Sequence, residues 1–193
     1  EDTLGMFIDC EYPMIATARL SGMMLDYPKL LDKGIGGLRS DLQEKLKEQP
    51  DNNFYKAGIQ CLDIFVDCAS HLQQDAREQM ASANMKRQKE LERICQALEN
   101  IKEKKPGTFH EAMQLFWLFA LLAGVINYGR LDDYLGPYLV ADLKSGRLTD
   151  EEAYRYIHSL WTMIENRRTT VNGRIIVGGK GRKHPKEADV FLH

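Results

Sequence analysis

Pro106-Gly107-Thr108-Phe109-His110-Glu111-Ala112-Met113-Gln114-Leu115-Phe116-Trp117-Leu118-Phe119-Ala120-Leu121-Leu122 is the stretch on which the fold class turns. Pro106 and Gly107 break any preceding helix, Thr108 offers a hydroxyl N-cap, and Glu111 stands three residues on at capping-box spacing. Behind that cap, Phe109, Ala112, Met113, Phe116, Trp117 and Ala120 fall on one stripe of a helix, so the stripe must face a core. The longest apolar run, Leu115 to Ile126, is shorter than the roughly 20 residues of a membrane span and follows the charged Lys102 to Lys105, which makes it a buried helix. Its end is expected near Gly129, a residue type that takes a left-handed cap without steric penalty. Asn127 then has two readings, a C-terminal capping amide or a hydrogen-bonding group on a pocket wall.

Upstream, Phe54 to Met80 carries Ala57, Cys61, Ile64, Phe65 and Cys68 at helical spacing, with Cys61 and Cys68 expected on one buried face. Asn84 to Lys104 alternates charge with Leu91, Ile94, Cys95 and Leu98, a second amphipathic helix. Downstream, Arg130 to Lys144 reads as a helix closed by Ser145-Gly146. Thr149-Asp150-Glu151-Glu152 opens another, because a hydroxyl cap and acidic first turn satisfy free N–H groups and complement the dipole. Tyr156, Leu160, Trp161 and Ile164 give that helix its apolar face.

Arg174-Ile175-Ile176-Val177 alone reads as a strand, a β-branched run between glycines that finds no partner elsewhere in the chain. A last helix starts at Lys186 and reaches only His193, below the length of independent stability, so the boundary is expected to be a cut one. The expectation is a mainly α chain, one domain, with helices over about 28–166 and at most one or two short strands.

The 193 residues include 26 basic and 28 acidic side chains, a formal charge of -2. That balance lacks the footprint needed to bind a phosphate backbone or an anionic membrane, so neither nucleic acid nor membrane is an expected partner. An apolar fraction of 44% with 28% charged residues is that of a soluble globular protein. Cys10, Cys61, Cys68 and Cys95 form no C-x-x-C pair, which fits reduced thiols in the cytoplasm better than disulfides or zinc. The N-terminus has no secretory pattern.

Several motifs fail on inspection. His110-Glu111 opens like the zinc-protease H-E-x-x-H, but Gln114 stands where the second ligand belongs, leaving a capping Glu and a surface His. Gly173 to Gly178 has phosphate-loop spacing without the Lys and Ser or Thr that must follow; His184 likewise replaces the third glycine of a dinucleotide fingerprint. A turn after a strand explains these glycines. The acidic pairs Asp132-Asp133 and Glu151-Glu152 read as solvated helix starts, since adjacent helical side chains point apart.

Three stretches taken together resemble the N-terminal half of glycyl radical enzymes of the pyruvate formate-lyase type. Arg87 to Ile94 leading into Pro106 to Gln114 is similar to that family's R-x-x-E-L helix and T-F-x-E-A-x-Q segment. Gly129-Arg130-Leu131-Asp132-Asp133-Tyr134-Leu135, then Pro137-Tyr138, Asp142-Leu143 and Gly146-Arg147-Leu148-Thr149 with Glu152-Ala153, resembles its G-R-x-D-x-Y-L and G-x-L-T-x-x-E-A elements. Asp26-Tyr27-Pro28-Lys29-Leu30-Leu31-Asp32-Lys33-Gly34-Ile35, followed by Phe54-Tyr55-x-Ala57, is similar to an earlier helix start, so the match covers most of residues 26–160.

The resemblance implies that residues 1–193 are a partial pyruvate formate-lyase-like domain, the helical N-terminal segment of a ten-stranded α/β barrel, with the first barrel strand at about 174–178. It also implies a small-molecule substrate, a parent homodimer, and a protein glycyl radical installed by a radical-SAM activating enzyme, with no cofactor bound by this segment. Neither the R-V-x-G-Y radical loop nor the G-C-x-E thiyl loop occurs in the sequence, so no catalytic residue is assigned and the segment alone is expected to be inert. Four residues before Asp26, where the family's diol dehydratases place a His and pyruvate formate-lyase an Arg, stands Gly22. Pyruvate formate-lyase's N-G-A-A-M-S stretch is replaced by Leu122 to Asn127. Both changes argue against pyruvate as substrate, and Gly22, Gly124, Val125 and Asn127 become the candidate substrate-pocket positions. The competing expectation is a standalone helical scaffold or interaction module derived from such an enzyme.

Overall fold

The computed structural model describes residues 23–167 and 173–192. Seven helices and two short strands run in the order α1 (Tyr27–Glu48), α2 (Asn53–Met80), α3 (Met85–Ile101), α4 (Phe109–Leu122), β1 (Asn127–Arg130), α5 (Leu131–Lys144), α6 (Asp150–Asn166), β2 (Arg174–Ile176) and α7 (Pro185–Leu192). The mainly α expectation holds. α1 is two helical pieces joined across Gly34, whose φ is 64°.

α4 is the axis of the core, because it is apolar on almost every side. Phe109, Ala112, Leu115, Phe116 and Ala120 are fully buried, and α1, α2, α3 and α5 pack around them through Tyr27, Leu31, Ile35, Phe65, Leu98, Ile101, Leu131 and Leu135. Tyr27 meets Phe116 edge-on at 5.0 Å and stacks on Tyr134 at 5.3 Å, geometries that suit the ring quadrupoles. Thr108 accepts the N–H of Glu111, as expected. The Glu111 carboxylate reaches one residue further back than a capping box requires, taking the N–H of Gly107 at 2.7 Å and the Asn100 amide at 2.7 Å. Thr149 and Glu152 form the complete capping box at the start of α6.

α2 buries only part of the stripe expected, keeping Phe65 in the core but turning Cys61 and Ile64 outward. Leu62, Phe65, Ala69, Gln73 and Ala76 face inward, while Cys61 is exposed, Ile64 is 59% exposed and Cys68 only half-buried. The helix carries two apolar stripes, and its neighbours choose between them. The chosen stripe includes Gln73, which an apolar count overlooks: its amide donates to the Cys95 carbonyl at 2.9 Å and to Glu99 at 3.0 Å, and accepts from Lys102 at 3.0 Å. A buried amide so satisfied costs little.

The strand at 174–176 is not alone. β1 pairs with it in parallel, Asn127 opposite Arg174, Gly129 opposite Ile175 and Arg130 opposite Ile176, with an irregularity between Asn127 and Gly129. α5 and α6 form the crossover that parallel strands require. The partner escaped sequence reading because it was expected to lie at the end of α4, which stops at Leu122. Gly124, at φ 65°, sends its N–H to Leu121 O at 3.1 Å, while the N–H of Val125 reaches Ala120 O at 3.1 Å. These are the two bonds of a Schellman cap, so the terminating glycine is Gly124 and not Gly129. Freed from the helix, the chain extends into β1.

α7 lies against α5 at Gly136, where an added Cβ would sit 2.8 Å from the backbone of Glu187. Glycine is what permits that approach.

Candidate functional site

The residues singled out as pocket wall occupy the turn from α4 into β1 and β1 itself, apart from Gly22, which lies outside the described residues, as does Cys10. Gly124 closes the helix. Val125 is 1% exposed, its side chain in the interior. Asn127 is half-buried; its side-chain oxygen accepts the N–H of Gly129 at 3.2 Å and its carbonyl accepts the Tyr27 hydroxyl at 3.3 Å. It therefore holds the irregular step of β1 and does not cap α4. Burial pushes the Tyr27 phenol well above its ordinary range, and the nearby Tyr128 adds to this. The Arg167 guanidinium ties the same turn down, donating to Val125 O at 2.7 Å and to the Tyr128 hydroxyl at 2.8 Å. Sequence reading had no signal for Arg167, which lies some forty residues from its partners.

The acidic pair at the start of α5 is not simply solvated: Asp133 is half-buried and Asp132 is out of solvent. Asp132 is fully buried and accepts the N–H of Gly178 at 2.7 Å and that of Asp133 at 2.9 Å. Asp133 accepts the N–H groups of Lys183 and His184 at 3.1 and 2.8 Å. Arg130 completes the arrangement by donating to Gly178 O at 3.0 Å and Lys180 O at 2.9 Å. The glycine-rich segment after β2 is thus a turn, its backbone bound by the side chains of Arg130, Asp132 and Asp133. The two aspartates do point apart, as helix geometry demands, but toward two parts of one loop.

A separate cleft of 540 Å³ opens between α3, α4 and α6. His110 lies in it, half-buried and not on the surface, its ring stacked on Tyr156 at 5.0 Å and 10° and its Nε2 3.3 Å from the Gln114 amide. Burial lowers the His110 pKa and the Arg93 charge lowers it further, while Glu111 pulls the other way. The three residues at 124, 125 and 127 line neither this cleft nor the 220 Å³ depression beside α1 and α5. Among the described residues, no three His, Cys, Asp or Glu side chains are grouped to hold a metal ion, and no helix is long and apolar enough to cross a membrane.

The model for the pyruvate formate lyase-like family matches residues 8–186. The chain belongs to that family. Within it, the chain is 28% identical over 190 residues to the probable dehydratase YbiW of Escherichia coli (strain K12), covering 83% of this chain and 23% of that protein. It is 30% identical over 161 residues to the (2S)-3-sulfopropanediol dehydratase of Klebsiella oxytoca, covering 75% of this chain and 19% of that one. The crystal structure of a glycyl radical enzyme from Archaeoglobus fulgidus superposes with a TM-score of 0.65 at 25% identity, over 73% of this chain and 20% of that chain. The chain therefore spans about a fifth of the length of the pyruvate formate lyase-like relatives it matches.

Proposed function

We propose that this chain builds the N-terminal helical wall and the opening strands of a glycyl radical dehydratase or lyase acting on a small molecule, and that the segment is inert by itself. The observation that carries the reading is the two-stranded parallel sheet. Parallel sheets occur with both faces covered, yet among the described residues β2 pairs only with β1, and Ile176 and Val177 beside it are 47% and 46% exposed. An apolar open edge of this kind calls for further strands. In this reading Gly22, Gly124, Val125 and Asn127 contribute backbone and one amide to the wall of the substrate pocket. The radical glycine and the thiyl cysteine come from polypeptide outside these residues, a radical-SAM enzyme installs the radical, and the assembled enzyme is a cytoplasmic homodimer. Wall residues serve by orienting the substrate and excluding water.

The test is electron paramagnetic resonance on the longest natural product that contains this stretch, activated anaerobically with a radical-SAM activase. A glycyl doublet, absent from the 193-residue chain under the same treatment, is expected. No doublet from the longer product would support the helical scaffold instead.

A further inference from the structure

The cleft is lined by residues of α3, α4 and α6, and Arg93 of α3 reaches across it to α6, pairing with Glu152 at 3.4 Å and hydrogen-bonding Tyr156. Its 540 Å³ falls in the range of small-molecule pockets. Met113 (7% exposed) and the fully buried Leu160 form an apolar floor, and Trp117 and Met163 extend it toward solvent. Tyr156 and the His110 ring stacked on it close one end.

Charge on the rim decides what would enter. Arg87 is matched by Glu90 at 3.0 Å and Arg93 by Glu152, whereas Arg155 has no carboxylate partner among the described residues. Three guanidiniums against two carboxylates leave one positive charge over an aromatic and thioether floor. We propose that this cleft is a binding site for a small amphipathic monoanion, an aromatic or aliphatic body seated on Trp117 and Met113 with its carboxylate or sulfonate on Arg155. Trp and Met supply an adaptable apolar bed, and a guanidinium pairs with planar or tetrahedral anions through two parallel hydrogen bonds.

Isothermal titration of the 193-residue chain with naphthalene-2-sulfonate tests it, with uncharged naphthalene-2-methanol as the matched body. Saturable one-to-one binding of the sulfonate is expected, about tenfold tighter than the alcohol, since a charge-assisted pair contributes on the order of one decade of affinity. Arg155→Gln should remove that tenfold preference while leaving the alcohol's affinity unchanged. Ser159→Trp, which fills the cleft from its exposed wall, should abolish binding of both, with thermal melting verifying that each variant is folded. No saturable binding, a preference that survives Arg155→Gln, or binding that survives Ser159→Trp would each overturn the proposal.

Discussion

The carboxylate of Asp132 has no exposed surface, and one of its oxygens accepts the backbone N–H of Gly178 at 2.7 Å, 46 residues along the chain. This bond joins the first turn of α5 to the end of β2, so it links the crossover to the sheet that the crossover creates. A buried carboxylate is tolerated only when its lone pairs are used. Here the Asp133 N–H takes the other oxygen, and Arg182 approaches to 4.0 Å.

Asp132→Ala should therefore be among the more damaging single changes. It strands the Gly178 N–H and leaves a small cavity, for a loss of about 2–4 kcal/mol, read as a lowered urea midpoint with unchanged slope. Asp132→Asn keeps the shape and should lose less. A midpoint unaffected by the alanine change would mean that β2 is not held through this residue.

Arg167→Gln removes the donors to Val125 O and the Tyr128 hydroxyl without removing helix-forming length from α6. The expected loss is about 1–3 kcal/mol, and hydrogen exchange should quicken over residues 125–130 before it does in α4. Uniform quickening would contradict a local tether.

Gly136→Ala brings a methyl to within 2.8 Å of the Glu187 backbone. Neither helix backbone can give way cheaply, so roughly 1–3 kcal/mol is expected, together with release of α7 to proteolysis. Gly146→Ala, with nothing near its Cβ but φ at 70°, should show only the smaller backbone strain of about 1 kcal/mol.

His110 is held below its ordinary value of 6.5 by burial. A depressed histidine resists protonation in the folded state while the unfolded chain accepts the proton, so stability is full above 6.5 and declines as pH falls below it toward the lowered value. Melting temperature should drop on acidification in the wild-type chain, and His110→Gln should flatten that slope. An NMR titration placing the His110 ring at or above 6.5 would refute this.

Local rules sufficed wherever a signal and its cause lie within a turn or two of each other. Thr108 and Thr149 cap their helices as spacing requires, α3 buries Leu91, Cys95 and Leu98, and α5 ends at Lys144 before Gly146. Where two local answers were equally good, the wrong one could be chosen. Gly124 and Gly129 both adopt positive φ, but only Gly124 has the α4 carbonyls within reach, and its choice exposes β1. In α2 the stripe through Cys61 and Ile64 has the same period as the one through Leu62 and Ala69, so periodicity was blind to the difference.

The mainly helical character, the helices from Asn53 onward, the buried character of α4 and the resemblance to pyruvate formate lyase-like enzymes were legible in the order of residues, because caps, breakers and apolar spacing act over a few bonds, whereas α1 was marked only by the resemblance. Three-dimensional packing alone decided that Asn127–Arg130 pairs with Arg174–Ile176, that Asp132 and Asp133 hold a loop some fifty residues away, and that Arg155 stands beside a cleft with no carboxylate partner among the described residues. Those outcomes depend on which distant backbone groups arrive next to a side chain. No pattern of near neighbours encodes that.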